Sequence, residues 1–89
     1  MSDPQLRPAA DVVARRLGDS AVIVRLSTNQ IYELNLTGAR LWELIERGTG
    51  QQDAVATLAD EFDAPRDDIA RDVAAIVRDL TAQGLIVTQ

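Results

Sequence analysis

At Asn35 the hydrophobic period of the chain changes from two to 3.6, and this switch divides the sequence into a β half and an α half. Before it, Val22, Val24 and Leu26 alternate with Ala21, Ile23 and Arg25 in a run rich in β-branched residues. The pattern predicts strands at 11–17, 20–26 and 30–35. The connections Leu17-Gly18-Asp19-Ser20 and Ser27-Thr28-Asn29-Gln30 are short and rich in turn formers, so consecutive strands pair as hairpins in an antiparallel meander.

After the switch, Gly38, Leu41, Trp42 and Ile45 share one helical face, with Asn35 or Thr37 as N-cap and Gly48 as the stop. A second helix is predicted from Thr49, whose spacing to Gln52 matches a capping box; Val55, Leu58, Ala59 and Phe62 form its apolar face. The third opens near Pro65, where Asp67 and Asp68 complement the helix dipole. It buries Ile69, Val73, Ile76, Val77 and Leu80 and ends at Gly84, after which Leu85 to Val87 fold back onto the core. Three strands followed by three helices define an α+β domain. Helices this short are not stable alone, so their apolar faces must meet each other and one face of the sheet. The 89 residues hold one domain, with residues 1–9 a flexible N-terminal segment and residues 10–89 the folded unit.

Missing residue types narrow the chemistry. The chain has no Cys and no His, and all nine of its positive charges are Arg. Thiolate and imidazole catalysis, zinc sites of the usual kind, Schiff bases and phosphate-loop lysines are thereby excluded, so neither catalysis nor a cofactor is expected. The net charge of -5 is unevenly spread. Residues 1–48 are neutral, whereas beyond them Arg66, Arg71 and Arg78 face eight acids, five of which (Asp63, Asp67, Asp68, Asp72 and Asp79) lie in or just before the third helix. A nucleic-acid surface needs the opposite sign. Met1 to Pro8 has no apolar stretch of a signal peptide, and the longest aliphatic run, Ala21 to Val24, is far short of a membrane span. A cytoplasmic protein with no membrane partner is expected.

Asp68 and Asp72 stand four residues apart and share a helical face, but one exposed face supplies too few ligands for a hard metal. Asn35-Leu36-Thr37 matches a glycosylation triplet without a secretory signal to make it meaningful. The outer strands are more informative, because an edge offers unpaired N–H and C=O groups and is normally guarded. The first strand carries Arg15 and Arg16; the third, Gln30 to Asn35, has one charge and three large apolar residues. That third strand is either a template for an added strand or an edge covered by the third helix.

The same residues carry a resemblance. Tyr32-Glu33-Leu34-Asn35-Leu36-Thr37-Gly38-Ala39, preceded by a hairpin and followed by Leu41-Trp42-Glu43-Leu44-Ile45, resembles the Y-x-L-N-x-T-G-A signature of the pyrroloquinoline quinone synthesis protein D (PqqD) family. Asp72-Val73-Ala74-Ala75-Ile76 and Ala82-Gln83-Gly84-Leu85 are similar to its later motifs. The resemblance implies a winged helix-turn-helix-like fold and a RiPP recognition element. Such a module holds the leader segment of a ribosomally synthesised precursor peptide as an extra strand between the third strand and the third helix. The free-standing form most resembles the leader-binding proteins of lasso-peptide clusters, whose partner is a leader peptidase or another modifying enzyme.

On this reading the candidate peptide-binding residues are Ile31, Tyr32, Glu33 and Leu34 on the strand and Asp68, Asp72, Ala75, Ile76 and Asp79 on the helix. The acidic flank suits a leader with Lys or Arg, and Ala75 leaves room for a bulky side chain. The opposite flank, with Arg66, Ala70, Ala74 and Thr81, is the alternative wall. A winged-helix DNA-binding regulator shares the order of elements, but its recognition helix should be basic.

Overall fold

The computed structural model describes residues 5–88. Its elements are β1 (Leu6–Pro8), β2 (Val12–Leu17), β3 (Ser20–Arg25), β4 (Gln30–Leu34), α1 (Leu36–Glu46), α2 (Gln51–Phe62), α3 (Arg66–Ala82) and β5 (Ile86–Thr88). The predicted meander is the antiparallel sheet β2-β3-β4, and the three predicted helices follow it. Pairing of Ala21 with Leu34 and Ile23 with Tyr32 sets these four on the face turned to the helices. Val22, Val24, Ile31 and Glu33 occupy the other face.

Against the inner face pack the apolar stripes anticipated from the 3.6 period. Ile23, Leu41, Leu58, Val73 and Leu85 are fully buried, and Trp42 is nearly so. Burial of each aliphatic side chain contributes about 1.5–3 kcal/mol. Phe62, Ile76 and Val77 border this core and are only partly covered.

The N-terminal segment differs from the expectation of flexibility. Leu6, Arg7 and Pro8 pair antiparallel with Thr88, Val87 and Ile86, and Leu6 is 2% exposed. Three residues are too few to display a period, so only the tertiary contact reveals this strand. Residues 1–4 of the expected flexible segment lie outside the described residues.

Helix starts also refine the prediction. Asn35, not Thr37, caps α1: its side chain accepts a hydrogen bond from the Gly38 N–H at 2.9 Å. Such a cap contributes about 1 kcal/mol. The cap of α2 is Gly50 rather than Thr49, and Pro65 stands just outside α3 as its N-cap residue. Gly38 allows a close approach, since a Cβ there would lie 3.2 Å from Leu34 Cβ and Cδ2, tighter than an ordinary van der Waals contact. The first turn of α1 therefore runs directly against the end of β4.

A chain of ion pairs ties β2 to the helices. Arg16 pairs with Glu43 on α1, and Arg40 reaches both Glu43, at 2.6 Å, and Glu61 on α2, whose Oε2 accepts from its Nε at 3.0 Å. The hydrogen bonds from Arg40 hold the Glu61 carboxyl below the ordinary glutamate range. Among the described residues no helix is long and apolar enough to cross a membrane.

Candidate functional site

Strand β4 closes the three-stranded sheet, so one side of its backbone has no strand partner within it. That side is not sealed by α3. A groove of about 380 Å³ lies between them, with Tyr32, Glu33, Leu34 and Asn35 on the strand side. Ile76, Asp79, Leu80, Ala82 and Gln83 line it from the end of the helix, together with Gly38 and Leu85. Local sequence explains each wall. The alternation of β4 turns Tyr32 and Leu34 inward, while helical spacing sets Asp72, Ile76, Asp79 and Gln83 in one row along α3.

The groove thus combines an unpaired main-chain edge, to which Glu33 contributes backbone, an apolar lining from Leu34, Ile76 and Leu80, and the carboxylate of Asp79 with that of Asp72 in the same helical row. An extended peptide has the matching chemistry: main-chain groups for the edge and alternate side chains for the lining. Basic side chains complement the carboxylates.

Of the residues singled out from sequence, Tyr32, Glu33, Leu34, Ile76 and Asp79 line the groove. Asp72 stands exposed one turn before Ile76 on the groove-side row. Asp68, one turn before Asp72 on the same side of the helix, and Ala75 are exposed and do not line the groove, and Ile31, 64% exposed, points to the opposite face of the sheet. On the other flank of α3, Ala70 packs against the core instead of facing the groove. Arg71 approaches Asp68 at 4.0 Å, and both side chains are largely exposed. The described residues hold no group of three or more Asp, Glu, His or Cys placed to bind a metal.

Sequence reasoning missed Gln83, Ala82 and Leu85 as groove residues. They follow the apolar stripe or interrupt it, and no periodic signal distinguishes them. Asn35 and Gly38 were visible only as helix-start residues. Gln83 is nevertheless central to one end of the groove: its side-chain Oε1 lies 3.4 Å from the Tyr32 hydroxyl, which is 3.1 Å from Gln30 Oε1.

Behind that end, Arg25 Nη2 donates to the Gln83 carbonyl at 2.8 Å, while its Nη1 lies 3.2 and 3.3 Å from the two Asp11 oxygens. The Ser27 hydroxyl donates to Asp11 Oδ2 at 2.7 Å. That hydrogen bond and the neighbouring Arg25 charge hold the Asp11 carboxyl below its ordinary range, against the opposing effect of desolvation.

Order of elements, open edge and groove together define an α+β module of winged helix-turn-helix-like form with a free strand beside its last helix. The family model described as Coenzyme PQQ synthesis protein D (PqqD) matches residues 20–86, and the chain belongs to that family. Two solved structures are similar over nearly the whole chain. TbiB1 in complex with the TbiA(beta) leader peptide is 26% identical with a TM-score of 0.83, covering 90% of this chain and 93% of that one. A lasso peptide synthetase B1 complexed with the leader peptide is 23% identical with a TM-score of 0.82, covering 92% and 96%, and adds support for the fold. No curated protein sequence matches significantly.

Proposed function

We propose that this protein is a non-catalytic adaptor, a RiPP recognition element that holds the leader segment of a ribosomally synthesised precursor peptide and delivers it to a modifying enzyme or leader peptidase. The observation that carries the reading is the unpaired edge of β4 running beside a groove on α3. The similar TbiB1, which is bound to a leader peptide, supports it. In this proposal the leader joins the sheet next to β4, and main-chain hydrogen bonds along residues 31–34 set its register. Tyr32, Leu34 and Ile76 receive apolar side chains, Asp72 and Asp79 attract basic ones, and Glu33 takes part through its main chain; Ile31, Asp68 and Ala75 border the site.

The peptide-binding unit in this reading is residues 10–89 together with the paired strand β1. It works in the cytoplasm, carries no cofactor, and binds neither nucleic acid nor membrane. A DNA-binding role is disfavoured by α3, which carries Arg66, Arg71 and Arg78 against Asp67, Asp68, Asp72 and Asp79. The test is titration of the purified protein with a fluorescently labelled synthetic leader, taken from a candidate precursor sought among the reading frames near its gene. Saturable binding competed by unlabelled leader, and not by duplex DNA, is the expected result. Absence of leader binding, or tight sequence-dependent DNA binding, overturns the proposal.

A further inference from the structure

Polar side-chain contacts cross between sheet and helix at one end of the groove, whereas Ile69 and Val73 hold the other end of α3 by apolar packing. At the Gln83 end, two contacts cross between sheet and helix: Arg25 to the Gln83 carbonyl, and the Tyr32 hydroxyl to the Gln83 side chain. Among the described residues, no side-chain hydrogen bond or ion pair joins the first two turns of α3 to the sheet.

The Arg25 contact supplies what the helix itself lacks. The last carbonyls of a helix have no intrahelical partner and favour a nearby cation. The last turn of α3 has no basic residue. Arg25 fills that role from β3, with its side chain 18% exposed and its other guanidinium nitrogen engaged by Asp11. Gly84 keeps the approach open. It adopts a φ of +71°, and a Cβ there would lie 3.0 Å from Arg25 Nη2. Arg25 does not line the groove, but it pairs across the strands with Gln30, whose side chain meets the Tyr32 hydroxyl.

We infer that Arg25 is a positioning residue for peptide binding: anchored by Asp11, it clamps the C-terminal end of α3 to the sheet and so sets the width of the groove where Tyr32 and Gln83 face each other. This rests on the peptide-binding reading above, but its geometric half is testable without any peptide. Tyr32 is the sole tyrosine of the chain, so protein labelled with 3-fluorotyrosine gives one fluorine resonance that reports the clamped end.

The experiment compares wild type with Arg25→Gln, Arg25→Lys and the milder Asp11→Asn, each checked for folding by circular dichroism. Two measurements are made: the fluorine spectrum of the free protein, and titration with the labelled synthetic leader. Arg25→Gln is expected to shift and broaden the Tyr32 resonance and to weaken leader binding about tenfold, through faster dissociation rather than slower association. Arg25→Lys keeps the charge but loses the fork that reaches two partners at once, so it should recover part of that loss. Asp11→Asn should fall between wild type and Arg25→Gln in both measurements. An unmoved Tyr32 resonance in folded Arg25→Gln and Asp11→Asn overturns the clamp, whether or not the leader binds. A moved resonance with wild-type leader affinity overturns its role in binding. Failure of wild type itself to bind the leader, with the resonance still responsive, strikes the adaptor reading and leaves the clamp standing.

Discussion

Strands β2 and β4 both end the sheet, and they meet solvent in different ways. Strand β2 carries Arg15 and Arg16, and the second of these is drawn into the ion pairs with Glu43 that lead on to Arg40 and Glu61. Strand β4 has one charge, Glu33, and its inward residues Tyr32 and Leu34 border both the core and the groove beside α3. A guarded edge resists the accidental strand pairing that leads to aggregation. An unguarded edge is tolerable where a helix stands alongside, because the helix restricts what enters and supplies side-chain selectivity. The difference teaches that the two edges, similar in length and both exposed to water, are distinguished by side-chain charge and by the ion pairs that engage one of them and not the other.

The sharpest way to break the comparison is a proline on the open edge. Glu33→Pro removes an N–H and disfavours an extended ladder, so leader affinity should fall about tenfold or more, which is ~1.4 kcal/mol or above. Arg15→Glu on β2 should leave affinity unchanged in the same titration. Equal loss in both variants, with circular dichroism showing intact folds, would place the peptide elsewhere.

Charge on the helix wall is the next lever. Asp72→Arg replaces attraction with repulsion for a leader bearing basic residues, and an affinity loss of about threefold to tenfold is expected at low salt, shrinking as salt rises. Titrations at two ionic strengths check it. A loss that does not change with salt would assign the effect to shape rather than charge.

The guarded edge should respond in stability instead of binding. Glu43 on α1 is 33% exposed and pairs with both Arg16 and Arg40. Glu43→Gln should lower unfolding stability by less than about 1 kcal/mol, with leader affinity intact. Urea unfolding monitored at the single Trp42 measures the first, and the leader titration the second.

The smallest expected effect is on acid tolerance. Because Arg40 lowers the Glu61 pKa in the folded state, the carboxylate stabilises the fold above its unfolded pKa, and this contribution is lost as pH falls through the lowered folded value. Glu61→Gln should therefore lose less stability than wild type on acidification, although it begins lower at neutral pH. Thermal unfolding across an acid series tests the sign, and a steeper acid loss in the variant would contradict it.

The order of elements was legible because local periodicity reports it directly: β-branched alternation before Asn35, helical stripes after. The open edge was legible for a similar reason, since consecutive hairpins must leave the third predicted strand outermost, and its single charge can be counted. Neither Gln83 nor the pairing of Leu6 with Thr88 had such a signal. Both depend on contacts between residues far apart in sequence, which composition and period do not encode. The acidic row was half legible. Spacing put Asp72, Asp79 and Ile76 on neighbouring positions, but only packing of Ala70 against the core and of Asp79 beside the groove distinguishes the two flanks.

The small ribbon of β1 and β5 bears on how such a unit combines with others. Leu6 lies opposite Thr88, so the backbone arrives and departs at adjoining points of the surface. A unit with closely spaced ends can be spliced into a surface loop of another protein, or joined to one at either end, with short linkers and little rearrangement of the host. Physical attachment to a partner protein is then an undemanding change, and tethering raises the effective concentration of whatever the unit carries.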